Sequence, residues 1–265
     1  MTRWQIDERS AQAYERYLVP AFFAPFAERL IDLAAPRQGD RIADVACGTG
    51  IVARLAAPRV RGTAVGLDTN AGMLEVARAA AGIDQPIRWL TADATAIPLA
   101  DETFECVLCQ QGMQFFGDRA AAVGEMRRIL VPDGRLALSV WRPVEHNPAF
   151  RLIAGALDRH AGPEVGAIMR APVSGPGADE LRDLLTAAGL RDVRVRIRIA
   201  EVRFPSPVDF LLQQAAASPL GGPFAALAAE ARDAVARDLT DAMRPYTDAD
   251  GLVFPMETHI ATAVR

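Results

Sequence analysis

Residues 42–53 read IADVACGTGIVA: an apolar run, a turn with glycine at 48 and 50, and then small and apolar residues of the kind that open a helix. No other stretch limits the fold so tightly. A strand that passes through a glycine turn into a helix belongs to a βαβ unit, and such units lay helices over a parallel sheet. The turn leaves helix N–H groups at the end of a strand, where open α/β sheets bind nucleotide-like ligands. Gly48-Thr49-Gly50-Ile51-Val52-Ala53 satisfies G-x-G-x-x-G/A. Asp68 supplies an acid about 20 residues on, as a dinucleotide site requires. Taken alone, these features fit a nicotinamide or flavin cofactor.

Downstream the alternation continues. Apolar runs bounded by turn residues occur at 41–46, 62–68, 87–93, 104–110 and 135–141. Helical stretches separate them, clearest in GIVARLAA, AGMLEVARAAA and DRAAAVGEMRRIL, the last closed by the Pro132-Asp133-Gly134 turn. Strands that read as continuous apolar runs are buried on both faces, and right-handed crossovers make such a sheet doubly wound. After Gly189, DVRVRIRIAEVRF alternates Val and Ile with Arg, which predicts one solvated face, and the chain ends in another strand, ETHIATAVR. The expected class is α/β, a doubly wound, Rossmann-like sheet of seven strands, mostly parallel with an antiparallel C-terminal strand.

Two segments interrupt the repeat. Residues 143–178 are rich in Pro and Gly, and residues 205–250 are Pro-bounded, Ala-rich helical segments. Loops after strand C-termini surround the ligand crevice in such sheets. With helices expected over 10–34, these insertions predict a helical cap. The expected organisation is an N-terminal cap segment (1–40), a ligand-binding core (41–142), a cap insertion (143–178), a core helix and strand (179–204), a second cap insertion (205–250) and a final core strand (251–265).

Composition narrows the partners. A chain of 265 residues, 51% hydrophobic, can bury a full core. All 29 basic residues are arginine, yet the net charge is −4 and no basic cluster is interleaved with aromatics. That leaves no electrostatic footprint for nucleic acid and favours a small-molecule substrate. The charged N-terminus has no apolar core of the kind a secretory signal needs, and no run approaches the ~18 apolar residues of a membrane span. Cys47, Cys106 and Cys109 are an odd, sparse set suited to a reducing compartment, so a cytoplasmic protein is expected. Cys106 and Cys109 form C-x-x-C, but on a strand an i, i+3 pair points to opposite faces, and no metal site is expected. Homo-oligomerisation is left open.

One residue argues against a dinucleotide. Asp44 lies inside the strand, two residues before Ala46. A buried acid there would repel a diphosphate and welcome an ammonium group. S-adenosylmethionine has a cationic amino acid end, a ribose, an adenine and no phosphate. DVACGTG resembles the D/E-x-G-x-G-x-G signature of class I S-adenosylmethionine-dependent methyltransferases, with Ala46 at the first glycine. VGLDTNAGMLEVAR resembles the family's second motif, TADATAIPLADETFECVLCQQGMQFFGD its third and fourth, and MRRILVPDGRLALSVW the helix, turn and strand that follow. The ordered set spans residues 41–141 and is most similar to the branch of ubiquinone and menaquinone C-methyltransferases and natural-product methyltransferases.

The resemblance implies S-adenosylmethionine as cofactor, S-adenosylhomocysteine as product, and a small, fairly apolar acceptor methylated at O or C. It implies that Gly48 and Gly50, with Ala46 beside them, let backbone approach the methionine and ribose portions. Asp44 would meet the ammonium through water and Asp68 would accept both ribose hydroxyls. Thr69 and Met73 would line adenine, Asp93 and the Ala94 N–H would bond it, and Gln110 and Gln111 would face the methionine end. Among three histidines, His146 in WRPVEHNP lies where cap meets crevice and is the candidate base. Tyr14, Tyr17, Phe22 and Gln114 are candidates for the acceptor pocket. Two alternatives stand beside this reading: an enzyme that binds the same cofactor without methylating, such as a cyclase or decarboxylase, and an NAD-dependent oxidoreductase.

Overall fold

Ile42, Ala43, Asp44 and Val45 are all buried, so the first strand, β1 (Ile42–Val45), has no solvated face and lies in the middle of the sheet. It pairs in parallel with β2 (Ala64–Asp68) on one side and β4 (Phe104–Gln110) on the other. β3 (Ile87–Thr91) extends the sheet beyond β2, and β5 (Leu130–Trp141) extends it beyond β4, both in parallel. β6 (Arg191–Phe204) forms the far edge, with β8 (Gly251–Val264) running antiparallel between it and β5. The order is β3-β2-β1-β4-β5-β8-β6, and a two-residue strand, β7 (Thr247–Asp248), pairs with β8 off this path. The seven expected strands and the antiparallel C-terminal strand are present. This computed structural model describes residues 5–82 and 85–265; residues 1–4 of the N-terminal segment, and 83–84, lie outside the described residues.

Each face of the sheet has its own helices. Leu30 and Ile31 of helix Ala24–Ala34, with Val52 and Ala56 of helix Ile51–Val60, cover Ile42, Cys106 and Leu108. On the other face Met126 of helix Arg119–Ile129, and Leu181 and Leu185 of helix Ala178–Ala187, cover Ala43, Val107 and Cys109. Cys106 and Cys109 thus point to opposite faces as free thiols. Side-chain caps start several helices: Asn70 accepts from the Met73 N–H at 3.0 Å and Asp118 from the Ala121 N–H at 2.9 Å.

A further apolar cluster lies beyond the sheet proper. β6 and β8 have 14 residues each against four in β1. At ~3.3 Å per residue they overrun the central strand by roughly 30 Å. Their overrunning ends, with Phe204, Phe254 and Met256, share an apolar cluster with helices Pro148–Ala161, Pro207–Ala216 and Ala229–Ala242 and with Phe26 of helix Ala24–Ala34. Segments 179–204 and 251–265 therefore serve both the core and the helical layer. Phe22 sits among Phe150, Phe204, Phe210 and Phe254, with ring centroids 5.6–6.4 Å away. Each such pair adds about 0.5–1.5 kcal/mol beyond area burial.

Three local expectations change. Pro132-Asp133-Gly134 does not close a helix; it is absorbed as a bulge within β5, where pairing jumps from Leu130 to Arg135. The alternation in β6 does not leave a single solvated Arg face: Ile197 and Ile199 are exposed while Val202 and Phe204, on the opposite face, are buried. This is an edge strand whose first half is covered from one side and whose second half from the other. The N-terminal helix winds as a π-helix over Tyr14–Phe23. Pro20 has no N–H and crowds the carbonyl four residues back, and the wider turn accommodates it. Among the described residues, no helix is long and apolar enough to cross a membrane.

Candidate active site

Connections leave β1 and β4 toward opposite ends of the sheet, which opens a crevice at their C-terminal ends. A cavity of about 480 Å³ fills it, a volume ordinary for a small-molecule site. Asp44 near the end of β1 and the turn after it, with Ala46, Gly48 and Thr49, line one part; Asp68 ends β2 and is followed by Thr69 and Met73, and β3 is followed by Asp93 and Ala94. Gln110, Gln111 and Gln114 close the side toward β4. Tyr14, Leu18 and Phe22 cover the cavity from the N-terminal helix, joined by Phe150 and Gln214 from the insertions.

The acids at the strand ends differ in how they are held. Asp68 accepts from the Gly48 N–H through one carboxylate oxygen and from the Asn70 N–H through the other, both at 2.8 Å. Each oxygen keeps a lone pair for a hydroxyl. Burial raises its pKa above its ordinary value, and those N–H groups oppose the rise. Asp44 Oδ2 accepts from the Ala53 N–H at 3.0 Å, while Oδ1 is buried with no partner. Burial, with the nearby charge of Asp68 adding to it, pushes Asp44 up to about 8 against the pull of that one bond. Asp93 Oδ1 accepts from both the N–H and the hydroxyl of Thr95, at 2.9 and 2.8 Å, a turn-forming bond made beside its place in the cavity wall.

Ala46 adopts φ +56°. An L-residue pays about 1–2 kcal/mol there and a glycine does not. Its methyl is accommodated from across the crevice: a Cβ added to Gly112 would lie 2.7 Å from the Ala46 Cβ. The glycine missing from the turn is matched by a glycine just after β4.

Gln110 Nε2 donates to the Phe23 carbonyl at 2.9 Å, tying the end of β4 to the N-terminal helix. Gln111, itself at φ +56°, donates through Nε2 to Ser139 Oγ at 3.3 Å and Thr258 Oγ1 at 3.1 Å. Tyr14 packs its ring 4.9 Å from that of Phe23, and burial, then the charge of Asp68, holds its hydroxyl protonated. Met73 both lines the cavity and packs with Ala11 and Val76.

Three expected site residues lie elsewhere. Gly50 does not line the cavity: at φ +82°, a Cβ there would meet the Trp89 ring at 2.2 Å, so its lack of a side chain serves packing. Tyr17 packs on the helical layer with the Arg16 guanidinium 5.1 Å from its ring centre. His146 is exposed, 3.0 Å from an Arg142 nitrogen and outside the cavity wall. The turn carrying it is pinned outward by Asn147, which donates to the Arg142 carbonyl at 2.6 Å and accepts from the Glu257 N–H at 2.9 Å. Among the lining residues not foreseen as site residues, two carry a buried polar atom without a partner. Thr49, whose buried hydroxyl has no partner, was visible between the glycines; Gln214 sits in an insertion with no motif to mark it.

The charged residues in the wall are Asp44, Asp68, Asp93 and Asp118; no Arg or His lines it among the described residues. The unpartnered Asp44 oxygen suits a cationic group and disfavours a pyrophosphate. Among the described residues no group of His, Cys, Asp or Glu could hold a metal ion.

A methyltransferase domain model matches residues 43–138. A demethylmenaquinone methyltransferase of Thermus thermophilus is 32% identical over 176 residues, which cover 61% of this chain and 79% of that protein. Nocamycin O-methyltransferase of Saccharothrix syringae is 32% identical over 202 residues, 70% of this chain and 71% of its own. A 2-phytyl-1,4-naphtoquinone methyltransferase of Thermosynechococcus vestitus is 37% identical over 136 residues, 49% of this chain and 60% of its own. Among solved structures, phosphoethanolamine N-methyltransferase 2 of Haemonchus contortus superposes with a TM-score of 0.62 at 17% identity, over 97% of this chain and 57% of that one; this shows a shared fold. The extent and identity of the sequence matches, over a sheet and turn of the same kind, make the chain a member of the S-adenosylmethionine-dependent methyltransferase family.

Proposed function

We propose that the chain transfers the methyl group of S-adenosylmethionine to an oxygen or carbon of a small, neutral, fairly apolar acceptor of quinone or natural-product type. The observation that carries the reading is the unpartnered Oδ1 of Asp44, a buried acid beside the glycine turn. An amino acid ammonium supplies the missing charge. Thr49 Oγ1, also buried and unpartnered, is a second polar atom awaiting a partner at the same turn. Gly48 has no atom within 4 Å of where a Cβ would stand, so backbone there is open to close approach. The residues present therefore fit the cofactor.

In this reading Asp44 and Thr49 hold the amino acid end, Asp68 the ribose hydroxyls, and Thr69, Met73, Asp93 and Ala94 the adenine. Ala46 and Gly48 present backbone. Gln110 and Gln111 set the wall beside the methionine end through their bonds to Phe23, Ser139 and Thr258. When bound, the cofactor supplies an electrophilic methyl on a sulfonium that leaves as a neutral thioether, S-adenosylhomocysteine. The chain's own task is to hold the acceptor in line and exclude water. Positioning of a reacting pair supplies on the order of 7–11 kcal/mol. Leu18, Phe22, Phe150 and Gln214 act as the cap that keeps water out. With His146 outside the cavity and Tyr14 held protonated, neither is placed to take the acceptor's proton.

The names of relatives that methylate demethylmenaquinone and nocamycin support an acceptor of this class. The acids that line the cavity, Asp44, Asp68, Asp93 and Asp118, support a neutral small-molecule acceptor, and the three free, buried thiols suit a cytoplasmic setting. Calorimetry with S-adenosylhomocysteine tests the cofactor: binding at tens of micromolar or tighter is expected. Stabilisation by NADH in its place returns the dinucleotide reading. Mass spectrometry of small molecules incubated with methyl-labelled cofactor tests the transfer. Turnover without release of S-adenosylhomocysteine would identify a non-methylating enzyme.

A further inference from the structure

Two buried carboxamide atoms in the cavity wall have no hydrogen-bond partner: Gln114 Oε1 and Gln214 Nε2. Their residues are 8% and 3% exposed. A buried polar group left without a partner costs about 1–3 kcal/mol, and a polar ligand in the cavity would satisfy both. They are also complementary, one an acceptor and the other a donor.

A relay fixes the orientation of Gln114. The Thr258 hydroxyl donates to the Val140 carbonyl at 2.7 Å, so its oxygen faces Gln111 as an acceptor. Gln111 must therefore turn its NH₂ toward Thr258 and Ser139 and its Oε1 toward Gln114, whose Nε2 lies 3.5 Å away. The Gln114 amide nitrogen is thereby committed, and its carbonyl oxygen is what remains for a ligand. Gln214 comes from a different element, helix Pro207–Ala216, and lines the same cavity, whose wall also includes the apolar Phe22 and Phe150.

Resting on the proposed methyl transfer, we infer that Gln114 and Gln214 select the acceptor by two different polar groups on an apolar ring system. Gln114 Oε1 accepts from an acceptor hydroxyl, and Gln214 Nε2 donates to an acceptor carbonyl oxygen. The substrate class is a neutral hydroxy-carbonyl ring compound, a phenol or enol that also carries a ketone. A carboxylate or phosphate is disfavoured, because no Arg lines the cavity among the described residues. Discrimination of this kind is strong because the analogue lacking the group leaves a buried polar atom unpaired.

The test uses the whole protein saturated with S-adenosylhomocysteine, and three neutral bicyclic probes: naphthalene, 1-naphthol and 1-tetralone. Equilibrium dialysis gives each affinity, for wild type, Gln114→Leu and Gln214→Leu. Wild type is expected to bind naphthol and tetralone at least tenfold tighter than naphthalene. Gln114→Leu should lose the naphthol preference and keep that for tetralone, and Gln214→Leu the reverse. Thr258→Val should weaken the naphthol preference and Thr258→Ser should restore it, because only the relay distinguishes them. The inference is overturned if wild type discriminates none of the probes or binds none, or if both glutamine variants lose both preferences together. A variant that unfolds is replaced by Gln→Glu, whose charged acceptor should reverse the tetralone preference at 214. Binding of S-adenosylhomocysteine is measured first: its failure refutes the methyltransferase reading, whereas normal cofactor binding with unchanged probe preferences refutes only the glutamine pair.

Discussion

Asp44→Asn should make the empty protein more stable and the cofactor site worse. The substitution keeps the size of the side chain and an oxygen to accept from the Ala53 N–H, now 3.0 Å from Oδ2. It removes a charge that burial opposes. In the folded chain the carboxyl group is pushed from its ordinary 3.8 up to about 8. That is about four powers of ten in proton affinity, on the order of 5 kcal/mol. The folded state therefore holds a proton that the unfolded state has released. This contribution is fully present below the ordinary 3.8, is lost as pH rises, and is gone above about 8. A chain of this size shifts Tm by ~2–4 °C per kcal/mol. Melting curves of the empty proteins should thus coincide near pH 4 and diverge by roughly 10–20 °C by pH 9, the Asn variant melting higher. Asp68, whose pKa burial also raises, is present in both proteins, so its own contribution largely cancels in the difference. Saturating S-adenosylhomocysteine should flatten the wild-type curve, because its ammonium stabilises the carboxylate, and the variant should bind it at least tenfold more weakly. A Tm difference that is constant from pH 4 to 9, or an Asn variant that binds the cofactor product as tightly as wild type, refutes the reasoning.

Asp68→Ala should weaken S-adenosylhomocysteine at least tenfold in calorimetry while the far-UV spectrum stays folded; unchanged affinity removes Asp68 from the ribose. His146→Ala should leave cofactor affinity and turnover within twofold of wild type, and a tenfold fall in kcat would restore it as a base. Phe210, fully buried with Phe22, Phe204 and Phe254 around it, should cost about 3–5 kcal/mol on truncation to Ala in urea unfolding. Gly112→Ala should cost about 1–3 kcal/mol, since its methyl would stand 2.7 Å from Ala46 Cβ and 3.0 Å from Cys109 Sγ. Adding Ala46→Gly should recover at least about 0.5 kcal/mol of that, a coupling read from a double-mutant cycle.

The contrast between Asp68 and His146 shows what a sequence carries about such a site. Asp44, Asp68 and Asp93 could be placed because each lies at or near the end of a continuous apolar run, and in a parallel sheet those ends share one edge. His146 also follows a strand, but its direction is decided by Asn147 bonding to Glu257, 110 residues away in sequence. Periodicity has no access to such a staple. The overrun of β6 and β8 was hidden for a related reason: an alternating strand reads the same whichever layer covers it, and here the covered face changes near Ala200. Ala46 is the sharpest case. Within the turn it looks like a departure from the glycine pattern, with a strained backbone as its cost. β1 and β4 run side by side with Asp44 level with Leu108, so the segments leaving them meet, and Gly112 yields the space that Ala46 takes. The glycine requirement is a property of the crevice between two strands; a fingerprint confined to consecutive residues sees only one of its walls.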